Sequence, residues 1–225
     1  NIILLSKKGF IVFKIPRWYH VKKTLNFGLP LIPHNSTIWI RQGFDRYIIN
    51  FFFGAATVGS FSFAYNLSGI ILMIGTAFNS INSVYIFKSL SNQNISGSSL
   101  KKQFSLMIKI FGIITIFGYF FSLLLIQYFF LLFLDSKSYL FPLFLAAFLQ
   151  CVYYLYVDYL VFYNKTNLLM SITFSISTAH FLLSYLLTQY SVLITTYISL
   201  TSNFIICILV IYFAKKTLRS KNNII

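Results

Sequence analysis

Long runs of apolar residues are the feature that most restricts how this chain can fold. Six segments are each at least about 20 residues long and mostly apolar, which is the length that an α-helix needs to cross a bilayer. They are residues 26–53, 58–87, 105–134, 139–163, 168–187 and 193–214. The sequence therefore predicts an all-α membrane protein with about six transmembrane helices.

The charged residues are few and strongly biased towards cations. Only 9% of the 225 residues are charged, 58% are hydrophobic, and the net charge is +15. A basic chain can be a nucleic-acid-binding protein, but here the cations collect in connections between the apolar runs, as they do in membrane proteins. We therefore expect no nucleic-acid partner.

The cations also indicate the orientation of the chain. They lie before the first predicted span and after the second, fourth and sixth. They are Lys7, Lys8, Lys14, Arg17, Lys22, Lys23, Lys88, Lys101, Lys102, Lys165, Lys215, Lys216, Arg219 and Lys221. The alternate connections carry at most one cation each, so the positive-inside rule places both ends in the cytoplasm. We expect a basic juxtamembrane segment at 1–25, a six-helix lobe at 26–214 and a basic tail at 215–225.

The first predicted span contains unusually many ionisable residues. At helical spacing, His34, Arg41 and Asp45 fall on one face, whereas Arg46 points about 100° away. An ionisable group at membrane depth is kept only if it is paired or faces a polar cavity. Two interpretations remain open. Arg41 and Asp45 form a buried ion pair while Arg46 reaches the outer headgroups, or at least one arginine lines a cavity.

Other spans carry weaker polar stripes. Asn66 lies in span two, Gln150, Tyr154 and Asp158 lie in span four, and His180 lies in span five. Such stripes often only mediate helix packing, but several in one bundle favour a shared polar cavity. The candidate substrate-binding residues are Arg41, Arg46, His34, Asn66, Gln150, Tyr154 and His180. The candidate ion-coupling residues are Asp45 and Asp158, although Asp158 could simply be exposed at the membrane interface.

Residue patterns typical of catalysis or metal binding are not found in the sequence. The chain has three acidic residues and three scattered histidines. Cys151 and Cys207 lie in apolar runs, where they are expected to pack. All predicted connections are short, which leaves no room for a catalytic domain outside the membrane. We expect no enzymatic activity, no metal and no cofactor.

Residues 25–65, LNFGLPLIPHNSTIWIRQGFDRYIINFFFGAATVGSFSFAY, resemble the start of the second half of Wzx-type O-antigen flippases. The shared features are FGLPLIP at 27–33, the DR pair at Asp45 and Arg46, and VGSFSFAY at 58–65. The later segments LDSKSYLFPLFLAAFL and LVFYNKT are also similar to that family. One departure is His180, at a position where the family commonly has Asn.

This resemblance implies a member of the multidrug, oligosaccharidyl-lipid and polysaccharide exporter superfamily. The chain would be the C-terminal lobe of a two-lobe, roughly twelve-helix transporter, and therefore a fragment that lacks its N-terminal lobe. Such flippases move undecaprenyl-pyrophosphate-linked oligosaccharides across the bacterial inner membrane for lipopolysaccharide or other surface polysaccharide biosynthesis, by ion-coupled alternating access. In that setting, Arg41 would bind the pyrophosphate.

The implied partners are the lipid-linked oligosaccharide, membrane lipids, the N-terminal lobe and polysaccharide polymerase machinery. Two alternative functions stay open at this point. One is a multidrug exporter of the same superfamily, although export of cationic drugs favours acidic cavities. The other is a membrane-embedded polysaccharide polymerase or transferase.

Overall fold

The computed structural model describes residues 17–91 and 97–222, with side chains described for 17–91 and 102–218. The part of the basic juxtamembrane segment that contains Lys7, Lys8 and Lys14 lies outside the described residues, as does the end of the tail. Residues 18–25 of that juxtamembrane segment are helical.

The regular structure of the described residues is helical throughout. Its α-helices are α1 (Trp18–Gly28), α2 (Leu31–Phe53), α3 (Ala55–Ser91), α4 (Gly97–Tyr128), α5 (Lys137–Phe162), α6 (Thr166–Leu187) and α7 (Val192–Asn222). Two 3-10 turns, Leu131–Ser136 and Thr188–Tyr190, precede α5 and α7. Five helices, α3 to α7, are long and apolar enough to cross a membrane. The prediction of an all-α membrane protein is therefore confirmed, and the chain is a multi-pass membrane protein.

The first predicted span differs from its prediction. A turn at Leu29 and Pro30 divides residues 26–53 between α1 and α2. Proline has no N–H to continue the hydrogen bonds of α1, but it is tolerated where a new helix starts. α2 is 23 residues long, yet three charged residues leave it outside the five apolar helices. The third predicted span is also too long, because α4 ends at Tyr128 rather than near Leu134.

α5 is the central helix of the bundle. It packs most extensively against α7 and α3, and about 67% of its apolar stretch is buried, compared with 22% for α3. Small residues permit α3 and α5 to approach each other closely. A side chain at Gly75 of α3 would overlap Sγ of Cys151 on α5. At Gly118 of α4, an added Cβ would lie 3.1 Å from Phe144. Small residues at helix contacts are typical of membrane proteins.

The remaining helices form the other part of the bundle. α2 packs against α6 and also contacts α3, while α6 packs against α7. A single residue, Gly54, separates α2 from α3 and has a positive φ of 80°. Glycine adopts this conformation without the steric cost of a side chain. α2 and α3 therefore form a tight hairpin.

Candidate functional site

The ionisable residues of α2 lie on two different faces. His34, Arg41 and Asp45 are buried, as their helical spacing predicted, together with Thr37. Arg46 is only half-buried. The buried face contacts α6 and α7, whereas Arg46 turns towards α3.

Asp45 is held from both neighbouring helices. Its Oδ1 lies 3.1 Å from Nε2 of His180 on α6, and its Oδ2 accepts a hydrogen bond of 3.0 Å from Ser199 on α7. The other ring nitrogen of His180 lies 3.1 Å from the hydroxyl of Ser202. Only 1% of Asp45 is exposed. Its two carboxylate oxygens are therefore bonded to protein groups in place of water.

Of the two interpretations left open for α2, the ion pair between Arg41 and Asp45 is not formed by the described side chains. Among the described side chains, the carboxylate of Asp45 pairs with His180 instead. The guanidinium of Arg41 extends to α7, where Nη1 donates a hydrogen bond of 2.6 Å to Oδ1 of Asn203. The i, i+4 spacing permits the predicted pair, but partners on neighbouring helices separate the two charges.

Arg41 borders a small cavity between α2, α3, α5 and α7. The cavity has a volume of about 30 Å³ and its other polar residues are Gln42, Tyr65, Ser68, Gln150, Ser199 and Asn203. The structure thus brings together two predicted residues, Arg41 and Gln150, at one cavity.

His34 takes part in a separate group of hydrogen bonds. Its Nδ1 lies 2.9 Å from Oγ1 of Thr173 on α6, and its Nε2 lies 3.2 Å from the hydroxyl of Tyr153 on α5. Tyr154 is half-buried and is not among the cavity residues. Asp158 is buried rather than exposed at an interface, and its Oδ2 has no hydrogen-bond partner among the described residues.

Arg46 belongs to a polar surface outside the bundle. Its Nη2 donates a hydrogen bond of 3.3 Å to Oδ1 of Asn66, which is exposed on α3, and its Cζ lies 5.1 Å from the ring centroid of Tyr65. Thr76 and Ser80 are also exposed, further along α3. We call Arg46, Asn66, Thr76 and Ser80 the outer polar face.

The outer polar face is unsuited to lipid contact. The hydroxyls of Thr76 and Ser80 bond to carbonyls of their own helix, so lipid would tolerate them. A guanidinium and a primary amide would instead lose their hydration in hydrocarbon. This face therefore needs water, lipid headgroups or another polypeptide opposite Arg46 and Asn66.

Several residues of the site were not predicted, and two that bond to predicted residues are Ser199 and Asn203. Both lie on α7, where Thr195, Ser199 and Ser202 follow the same i, i+4, i+7 spacing that identified the other stripes. That spacing could have identified α7 as a polar partner, but it does not say which side chain Ser199 or Asn203 would meet.

Among residues 17–91 and 97–222, no three His, Cys, Asp or Glu side chains are close enough together to hold a metal ion. No protein-family model matches the chain, and no curated protein or solved structure shows significant similarity to it. The function of the chain therefore has to follow from its own residues.

Proposed function

We propose that this chain is the C-terminal lobe of a flippase of the bacterial inner membrane. Its substrate would be an undecaprenyl-pyrophosphate-linked oligosaccharide used for O-antigen or another surface polysaccharide. The resemblance of residues 25–65 to Wzx-type flippases supports this proposal, as does the multi-pass helical fold. The observation that carries it is the half-buried Arg46 on the outer polar face.

Arg46 has the properties expected of a pyrophosphate ligand. Asn66 and the ring of Tyr65 hold its guanidinium at a partly open position. An arginine presents several N–H donors in a planar fork and can bind two phosphate oxygens at once. A charged side chain on a helix packed into a membrane bundle is usually part of a substrate or ion pathway.

Arg41 was expected to bind the pyrophosphate, which requires an accessible guanidinium, but it is buried inside the bundle. Only 6% of the residue is exposed, and its guanidinium is directed into the bundle, towards Asn203 on α7. Arg46 would therefore meet the substrate first. Arg41 would reach it only if α2 moved away from α7, and its role in substrate binding stays a prediction.

An N-terminal lobe facing the outer polar face would supply the other wall of the substrate pathway. Alternating access would then open and close the pathway between the two lobes. Asp45, which is buried and bonded to His180 and Ser199, is the first candidate for ion coupling. Asp158 is a second candidate.

Export of cationic drugs fits the outer polar face less well. A carboxylate attracts a cation most strongly, and the single carboxylate of α2 and α3 is Asp45. Asp45 is directed towards His180 and Ser199 in the interior. The outer polar face presents a cation, which suits an anionic substrate.

The test uses the full-length protein, with its N-terminal lobe, in cells that lack their own flippase. Arg46→Ala should abolish surface polysaccharide while the protein remains in the membrane, and Arg46→Lys should restore it only in part because lysine has no fork. Lys109→Ala is the matched control, since Lys109 is exposed on α4 away from the outer polar face. Normal export by Arg46→Ala would contradict the proposed role.

A further inference from the structure

α3 and α5 run in parallel, and contacts along their length keep nearly the same offset. The residues in contact are about 76 positions apart in the sequence. The contacts are Ser60 with Ser136, Gly75 with Cys151, and Phe87 with Phe162. Seven residues, or two helical turns, beyond Gly75 and Cys151, the same offset places Asn82 opposite Asp158.

Asn82 and Asp158 are both buried, and each has a polar atom without a partner. Asn82 is 2% exposed and Asp158 is 7% exposed. Nδ2 of Asn82 and Oδ2 of Asp158 have no hydrogen-bond partner among the described residues. Oδ1 of Asn82 is already used, since it accepts a bond of 3.3 Å from Gln103 on α4. Buried polar atoms are normally bonded, so a free donor opposite a free carboxylate oxygen calls for an explanation.

The carboxyl group of Asp158 also has no cation to balance its charge. No described cation lies within ion-pair distance of it. The described lysines near this end of α5 are exposed, and the other ionisable side chains there are tyrosines and a thiol, which are neutral near pH 7. They are Lys88 and Tyr85 on α3, Lys102 and Lys109 on α4, Cys207, Tyr212, Lys215 and Lys216 on α7, and Tyr153, Tyr154, Tyr156 and Tyr159 on α5.

We propose that Asp158 is a proton-binding site and that Asn82 donates a hydrogen bond to its carboxylate once the proton has left. An unpaired carboxylate buried in a membrane bundle is costly and is neutralised by a proton. On release, the O–H bond breaks, its electron pair stays on Asp158 and the proton passes to water. The inference deepens the ion-coupling part of the proposed function, on which only the use of this proton in transport rests.

The test is infrared spectroscopy of the purified chain in dodecyl maltoside, a detergent without carbonyl groups. A protonated carboxyl group gives its own C=O stretching band, and the chain has only three acidic side chains to assign it to. At about pH 5.5 an ordinary aspartate, with a pKa near 3.9, has lost its proton. The band should nevertheless be present and should disappear in Asp158→Asn. Asp135→Asn is the matched control, because Asp135 is exposed, and it should keep the band.

Asn82→Leu tests the donor to the ionised form. The pH at which half of the band is lost should rise by roughly one unit or more, a tenfold change in proton affinity, because a hydrogen bond to a charged group is removed. Ser83→Ala is the matched control and should leave this pH unchanged, since the Ser83 hydroxyl bonds to Ser80 of its own helix. Circular dichroism checks that each variant is folded, and Asn82→Leu keeps the proposal testable if Asp158→Asn does not fold.

Four outcomes would overturn the proposal. They are no band in the folded chain, a band that survives Asp158→Asn, an unchanged midpoint in folded Asn82→Leu, and loss of the band when sodium replaces choline at constant pH, which would indicate a sodium site. No transport is measured, so these outcomes are independent of polysaccharide export by the Arg46 variants.

Discussion

The two sides of the bundle are held together in different ways. On the polar side, formed by α2, α6 and α7, side-chain hydrogen bonds join neighbouring helices, as between Asp45 and His180. On the apolar side, formed by α3, α4 and α5, helices meet at small residues such as Gly75, which lies against Cys151. Lipid tails compete for apolar contact, so a bilayer leaves close packing and hydrogen bonding to hold helices together. Most of the side-chain hydrogen bonds between helices lie on the polar side, although Gln103 of α4 also donates one to Asn82 of α3.

Removing the imidazole from the polar side should have the largest effect. His180→Leu leaves the buried carboxylate of Asp45 with Ser199 alone, and removing one partner of a buried charged group costs about 3–5 kcal/mol. The free energy of unfolding, measured by titration with sodium dodecyl sulfate, should fall by that amount.

His180→Gln is the matched control for that substitution. A glutamine amide reaches as far as Nε2 of the imidazole and can still donate to the carboxylate of Asp45. This variant should lose much less stability than His180→Leu. Equal losses in the two variants would show that the contact to Asp45 is not what stabilises the polar side.

A larger residue on the apolar side should have the next largest effect. Gly75→Val places a side chain against Cys151, and overpacking of this kind costs about 1–3 kcal/mol. Gly69→Val is the matched control on the same helix, because an added Cβ there has nothing within 4 Å. The same unfolding titration should separate the two variants, and a similar stability for both would contradict close packing between α3 and α5.

The smallest effect is expected for a neutral hydrogen bond on the polar side. The hydroxyls of Thr188 and Thr195 lie 2.7 Å apart and are buried. Thr188→Val removes this bond with little change in shape, and such bonds in membrane proteins average about 0.6 kcal/mol. Thr178→Val is the control, since the Thr178 hydroxyl bonds to Phe174 of its own helix. A loss as large as that of His180→Leu would show that charge is not what distinguishes the Asp45 pair.

The helices could be predicted from the sequence because hydropathy and length act locally. The predicted spans 58–87 and 168–187 lie within α3 and α6. The error at the first span also has a local cause. Hydropathy joins residues 26–53 into one apolar run, whereas Pro30 lacks the N–H that would continue α1.

The contacts of the site depend on which helices become neighbours, and spacing along one helix does not contain that information. The burial of Arg41 and Asp45 on one face could be predicted, since it follows from helical periodicity. The partner of Asp45 could not, because His180 is 135 positions away in the sequence. Helical spacing within α2 brings Arg41 and Asp45 together at i, i+4. It contains no information about a competing partner on α6.

The tight hairpin at Gly54 has a consequence for how the chain is made. Arginine and aspartate each oppose membrane insertion by about 2.5–3.5 kcal/mol at the centre of a helix, so α2 is poorly suited to insert as the ribosome releases it. α3 follows after one residue and is apolar enough to enter the bilayer by itself. The depth at which α2 settles during biogenesis is therefore set by the helix synthesised after it.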